Sequence, residues 1–311
     1  MNFPEGFPRL GYACLNSELR EQKPSVFCSR TCRIASIKPG PEGLQMLQEL
    51  SLKNVADLKK MLNWNAQHGI HFMRMSSGLF PFASHNVHGY NLDFCATELA
   101  EAGKLAKDLG QRLTFHPGQT NNLGSPYQTV VAATKRDLTY HAAVLDGMNL
   151  DKDSVMIIHG GGMYGDKKET LKRFALEFAA LDDAIKKRLV IENDELCYSV
   201  DDLLPMSEEL QLPIVFDWHH HSLNPGHTPI ADLLQRIKAV WRNRGIRCKM
   251  HYSESRAGAS SLMERRAHST HVSRVPLCGE DVDLMIEAKA TQDAVLKMME
   301  KYGNPAVLPV P

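Results

Sequence analysis

The stretch Leu189–His220, LVIENDELCYSVDDLLPMSEELQLPIVFDWHH, holds a short apolar run ended by Glu192, a helix-like segment over Asp201–Leu210, and a second apolar run, Ile214–Asp217, opened by Pro213 and ended by an acid. Strand, helix and strand in that order, with no hairpin turn between the strands, is the pattern of a parallel βαβ unit. Both strands deliver a carboxylate at their far end, and His220 follows Asp217 by three residues.

The same punctuation recurs on either side. His116 closes the strand-like Arg112–His116, and His159 closes Ser154–His159. His251 lies in Arg247–Tyr252, Glu287 closes Leu284–Glu287, and His268 falls in the loop region between them. Two earlier strands are read at Arg9–Cys14 and Ile70–Arg74. Between the strands lie helical patterns at Asn54–His68, Thr97–Leu109, Gln128–Met148, Lys168–Ile185 and Ile230–Trp241, a weaker one at Ala267–Leu277, and a final one at Thr291–Tyr302. Eight strands alternating with helices predict an α/β fold, a single TIM (β/α)8 barrel over residues 1–311 with a flexible tail from about residue 304. The segments Pro81–Asn91, Pro117–Pro126, Gly160–Asp166 and His219–Pro229 are long for connections, and all follow strands. They therefore share the C-terminal rim, where barrels place their chemistry.

Composition narrows the class. The chain is 43% hydrophobic and 23% charged, and its Lys+Arg and Asp+Glu counts are both 36. Zero net charge argues against a protein coated in positive charge, though not against a basic rim such as Arg256, Arg265 and Arg266. No apolar run approaches the roughly 20 residues a membrane helix needs, and the start lacks a secretory pattern. The expectation is a cytoplasmic protein. The seven cysteines are scattered and read as reduced thiols.

A single histidine at a strand end is more often a hydrogen-bonded loop residue than a ligand. A set of imidazoles and carboxylates on successive strand ends is different, because rigid elements aiming both ligand types at one rim are what metal-assisted hydrolysis requires. Glu192, on a middle strand, is placed to bridge two ions. Of His219, His220 and His221, one is expected to bind metal. Lys249 and His251 lie two apart on a strand and so face the same side. A lysine facing divalent cations is expected as a neutral amine or a carbamate rather than as ammonium. The run GGGMYGDKK at Gly160–Lys168 lacks the Lys-Ser/Thr ending of a phosphate loop.

Together these segments resemble the UV damage endonuclease family, relatives of endonuclease IV. The matching motifs are RLGYACLN (Arg9–Asn16), FMRMSSGLFPFASH (Phe72–His85), HPGQ (His116–Gln119), IIHGGG (Ile157–Gly162), IEND (Ile191–Asp194), FDWHH (Phe216–His220), KMH (Lys249–His251), RAH (Arg266–His268) and MIEAK (Met285–Lys289). They run in family order over nearly the whole chain. The resemblance implies incision of damaged double-stranded DNA 5′ to ultraviolet photoproducts; abasic sites are expected as further substrates. It implies two or three divalent ions, manganese first, with magnesium, zinc or cobalt as substitutes. Carried over by position, the ligands are His116, His159, Glu192, Asp217, His220, His251, His268 and Glu287, and the catalytic residues are Glu192, Lys249 and His85. Tyr12, Asn16, Gln119, Thr120, Arg9 and Arg74 are expected to meet DNA or lesion. The chain departs from the family at Thr120, where an aromatic residue usually follows the glutamine. That departure bears on lesion probing rather than on metal chemistry. A monomer with no protein partner and no membrane contact is expected. The competing readings are a metal-dependent sugar isomerase on the same barrel and a catalytically silent damage-binding protein.

Overall fold

The structure, a computed structural model, describes residues 3–303; the expected tail lies outside the described residues. Eight strands are found among these: β1 (Arg9–Ala13), β2 (Phe72–Arg74), β3 (Arg112–Thr114), β4 (Met156–His159), β5 (Leu189–Glu192), β6 (Ile214–Asp217), β7 (Cys248–Tyr252) and β8 (Val282–Ile286). The sheet order is β3-β2-β1-β8-β7-β6-β5-β4, and a parallel bridge between Phe115 and Met156 joins the two ends of that order. The fold is an α/β barrel of the TIM type.

By its contacts the chain divides into two compact units. Of the described residues, one comprises 3–13, Ile70–Met73 and 190–303. Within it β1, β8, β7, β6 and β5 pair in parallel, and the register sets Asp217 beside His251 and Arg9 beside Asp283. Apolar residues on both faces (Val190, Ile191, Val215, Phe216, Met250, Leu284, Met285) are wholly buried, as expected of strands with helices outside and side chains inside. Trp241 of the helix Ile230–Arg244 donates its indole N–H to the Ile214 carbonyl at 2.8 Å, fixing that helix on β6. Gly11 is obligatory where β1 passes β2, because a Cβ there would lie 2.2 Å from the Phe72 carbonyl oxygen.

The other unit comprises Cys14–Gly69 and Arg74–Leu189. Its ladder runs from Cys14 N–H to Arg74 O (2.8 Å), from Met75 N–H to Thr114 O (2.8 Å) and from Phe115 N–H to Val155 O (2.9 Å).

Three elements differ from the sequence reading. The helix expected at Asn54–His68 starts at Pro41, directly after Gly40, and runs to Gln67. Its first half carries buried polar groups: the Ser51 hydroxyl donates to the Leu47 carbonyl, and Asn54 donates to the carbonyls of Arg30 and Leu79. Upstream of Asn54 only Gly43, Leu47 and Ser51 are buried, too sparse an apolar stripe to show the helical period. The helix expected over Lys168–Ile185 breaks into Lys167–Ala179 and Asp183–Lys186. Ala267–Leu277 is not helical. Its backbone is taken up by a bridge from His268 to Ser255 and by hydrogen bonds to Ser269 and Thr270 from Lys289 and Ala290.

Candidate metal centre

Four strand ends of the first unit meet in one buried cluster. Glu192 and Asp217 have side chains only 1% exposed, and His251 is wholly enclosed. The Nδ1 of His251 lies 2.8 Å from Glu192 Oε1, 3.4 Å from Glu287 Oε1 and 3.8 Å from Asp217 Oδ2. His220 Nδ1 lies 3.5 Å from Glu192 and 3.7 Å from Asp217. Two groupings in this unit, Glu192–Asp217–His220 and Asp217–His251–Glu287, each bring their ligand atoms within 4.8 Å of one another.

Local chemistry explains how His220 arrives there. Trp218–Leu223 is a short helix, not the loop expected from His219 onward, and Asp217 caps it by accepting the His220 N–H on Oδ1 at 2.7 Å. Helical geometry then separates the histidine run. His220 turns to the acids and meets the Asn193 carbonyl at 3.0 Å, His219 packs edge-on to His268, and His221 packs on Phe216. Of the three, His220 is the one brought beside Glu192 and Asp217. His268 Nδ1 bonds the Glu287 carbonyl at 2.6 Å, which leaves Nε2 as its donor nitrogen.

The charges in the cluster strain one another. Burial raises the Asp217 carboxyl to about 7, with Glu192 and Glu287 adding and His220 opposing. Burial lowers His251 to about 4, reinforced by Lys249 and opposed by the acids. At His220 burial also lowers, but Asp217, Glu192, Glu195 and Glu287 outweigh it and lift the imidazole to about 9. Anions crowded out of water require compensating positive charge. Asp217 Oδ2 is buried with no hydrogen-bond partner among the described residues. The donor set and that oxygen fit a divalent cation.

In the second unit, the rings of His116 and His159 stand 5.1 Å apart. His116 is oriented by its Nδ1 at 3.1 Å from the Pro117 carbonyl, and its own carbonyl accepts from Ser77. Gln119 and Thr120 are exposed in the loop beyond. A cleft of about 680 Å³ there is lined by Thr120, Asn121, Ser84, His85 and Arg136. His85 Nδ1 is engaged by the backbone N–H groups of Val87 and His88, both at 3.2 Å.

Lys249 is fully buried with its Nζ against His251 Nε2, so the two side chains share a face as their spacing predicts. Arg74 ends β2 and is half-buried. Three of the residues expected to meet DNA are otherwise employed. Arg9 opens β1, at the end away from the rim, and forms a bidentate pair with the buried Asp283 (2.7 and 2.6 Å), which Arg247 also contacts. Asn16 is buried and caps a helix through the Leu19 N–H at 3.0 Å. Tyr12 is wholly buried and offers no surface to a macromolecule. One residue was missed. Glu195 accepts from Arg266 at 2.6 Å and lies 3.7 Å from His220 Nε2. Only its place three residues after Glu192 could have drawn attention to it.

A family model described as UV-endonuclease UvdE matches residues 8–307. The chain is 49% identical over 304 residues to the UV-damage endonuclease of Schizosaccharomyces pombe, covering 94% of this chain and 50% of that protein. It is 33% identical to the UV DNA damage endonuclease of Bacillus pumilus, covering 95% and 94%. The chain thus spans about half the length of the fungal relative and nearly all of the bacterial one. The crystal structure of SacUVDE superposes with a TM-score of 0.85 at 30% identity, over 97% of this chain and 100% of that one. The 3-keto-D-glucoside 4-epimerase YcjR from E. coli, at 9% identity and a TM-score of 0.52 over 94% and 99% of the two chains, shares the fold alone.

Proposed function

The chain belongs to the UV-endonuclease UvdE family, and from that membership we propose that it is a metal-dependent repair endonuclease that cuts damaged duplex DNA 5′ to ultraviolet photoproducts. The observation that carries the reading is the enclosed set Glu192, Asp217, His220, His251 and Glu287, with Asp217 Oδ2 lacking a hydrogen bond. We assign those residues as metal ligands, with His268. His116 and His159 join them by the resemblance and by their equivalent place at strand ends. Two or three ions, manganese first, are proposed. Bound there, divalent ions supply Lewis-acid polarisation of a phosphodiester and a water of lowered pKa.

The protein's own groups do the rest. The β6–β7 register holds Asp217 and His251 side by side, so the donors are fixed before any ligand arrives. If His251 gives Nδ1 to a metal, its Nε2 carries the proton and donates to Lys249. An ammonium cannot accept that bond, so Lys249 is proposed as a neutral amine or a carbamate. His85 borders the cleft beside Thr120 and is proposed to touch the opened strand. Gln119 and Thr120 are proposed to probe the lesion, where poor stacking lowers the cost of opening the duplex. Arg74 remains the arginine proposed to position phosphate.

The test is incubation of the purified chain with manganese and ultraviolet-irradiated supercoiled plasmid, with unirradiated plasmid as control. Nicking confined to irradiated DNA, abolished by chelation, with ends mapping 5′ to dimers, supports the reading. Retardation of the plasmid without nicking would instead point to a binding protein.

A further inference from the structure

The connection after β7 leaves the barrel as a closed hairpin. Its base is an antiparallel bridge between Ser255 and His268, with Arg256 N–H to Ala267 O and Ser269 N–H to Glu254 O, both at 2.8 Å. At its tip is a single helical turn, Leu262–Arg265, with a capping box between Ser261 and Glu264. Glu264 Oε2 accepts from the backbone N–H and hydroxyl groups of both Ser260 and Ser261, at 3.0 to 3.1 Å. The turn is thus internally fixed, although nothing large is buried under it.

That fixed turn presents two large apolar side chains to solvent: Leu262 is 49% exposed and Met263 71%. Adjacent exposed apolar residues on a rigid, capped tip are a cost to the free protein and point to a partner that covers them. The surroundings say what kind. Arg265 is exposed beside the tip, as is Arg256, which pairs with Glu264 at 3.2 Å, and Arg266 reaches back to Glu195, whose other neighbour is His220 of the proposed metal centre. The base of the same hairpin carries His268, a proposed ligand. A cationic, apolar-tipped projection on the strand segment that supplies a metal ligand suits a polyanion with hydrophobic layers inside it.

We propose that Leu262 and Met263 form an apolar wedge that enters between base steps of the duplex the metal centre cuts, while Arg256 and Arg265 hold the flanking phosphates. Leucine and methionine are residue types that act as such wedges, and partial unstacking bends the duplex around the protein. This wedge is separate from the Gln119–Thr120 loop, and it rests on the endonuclease reading.

The test uses the full chain and a duplex carrying one pyrimidine dimer, with 2-aminopurine at neighbouring steps. Binding is measured before manganese is added, nicking of irradiated plasmid after. The double variant Leu262→Ser/Met263→Ser is expected to bind roughly tenfold more weakly and to lose the fluorescence rise that unstacking gives. The exchange Leu262→Met/Met263→Leu, which keeps the apolar tip, is expected to retain both. Unchanged binding and fluorescence in the serine variant, with the wild type nicking normally, would overturn the wedge and leave the endonuclease reading standing. A wild-type dimer in light scattering that the serine variant dissociates would show that a second copy covers the tip, and would also overturn it. Wild-type protein that never nicks irradiated plasmid would remove both.

Discussion

The ends of β5 to β8 and the ends of β3 and β4 use one device for two purposes. In the first region, carboxylates and imidazoles are neighbours by strand register, and the side chains of Glu192, Asp217, His220, His251 and Glu287 are none of them more than 14% exposed. In the second, two imidazoles lead straight into open loops, where Gln119 and Thr120 face solvent above a cleft. Strand ends packed on one another give rigid ligands but little reach. Strand ends that open into loops give reach, with adaptable contacts. On the proposed function, register would fix most of the ligands, and the loops after His116 and His159 would make the contacts to the lesion.

The sharpest way to break this division is at its centre. Glu192→Ala should abolish nicking, by well over the roughly 100-fold typical of losing an outer-sphere partner, while circular dichroism stays native. Nicking at the wild-type rate by a folded variant would end the assignment of Glu192 as a ligand. Next comes Lys249. Lys249→Arg should lose more activity than Lys249→Met, because arginine cannot shed its charge beside the cluster. A milder loss for arginine would mean that Lys249 works as a cation, whereas equal and complete losses would point to the carbamate.

Metal removal offers a third test, with a defined sign. Asp217 and His220 are both raised in the metal-free fold, to about 7 and about 9. A raised group stabilises the fold below its unfolded value, and that contribution is lost as pH climbs through the folded value. His251, lowered to about 4, acts oppositely, but its contribution is complete above about 6.5, the ordinary histidine value. The chelated protein should therefore melt at falling temperature from about pH 6.5 to about pH 9, and saturating manganese should raise and flatten that curve. A metal-free melting temperature that rises across this window would contradict the charge balance drawn here.

The smallest effect is expected in the loop region. Stacking on an aromatic ring is worth about 1–3 kcal/mol per base. Thr120→Tyr should tighten binding to dimer-containing duplex by about tenfold or somewhat more, and change cleavage at saturation less. The native chain should favour abasic sites over dimers, since they open more readily. Identical binding by Thr120→Tyr on dimer, 6-4 photoproduct and abasic duplexes would locate the probe elsewhere.

The sequence exposes the first region more fully than the second, for a physical reason. Strand ends are punctuated: LVIE, PIVFD and DLMIE each switch from apolar to acidic in one residue, and that switch marks where a barrel strand leaves the core. The two-residue spacing of Lys249 and His251 likewise carries over directly into a shared face. Less legible were contacts made by residues far apart in sequence. Nothing near Arg9 announces Asp283, and nothing near Glu195 announces Arg266. Asn16 was carried over by its place in the RLGYACLN motif, which does not show that its side chain caps a helix. The early turns of Pro41–Gln67 escaped because only Gly43, Leu47 and Ser51 are buried there, too sparse an apolar stripe for periodicity to register.

Asp217 divides its two oxygens between tasks: Oδ1 caps the short helix that carries His220, and Oδ2 is left for the centre. Inheritance at this codon is consequently constrained twice. Most replacements would spoil the local fold and the chemistry together, so a drifting lineage could not keep a sound but inactive protein by changing this side chain at random. Asparagine is the exception, since its amide oxygen can still cap while its charge is gone. On the proposed function, a natural homologue with asparagine here would be a fossil of lost catalysis on a preserved scaffold.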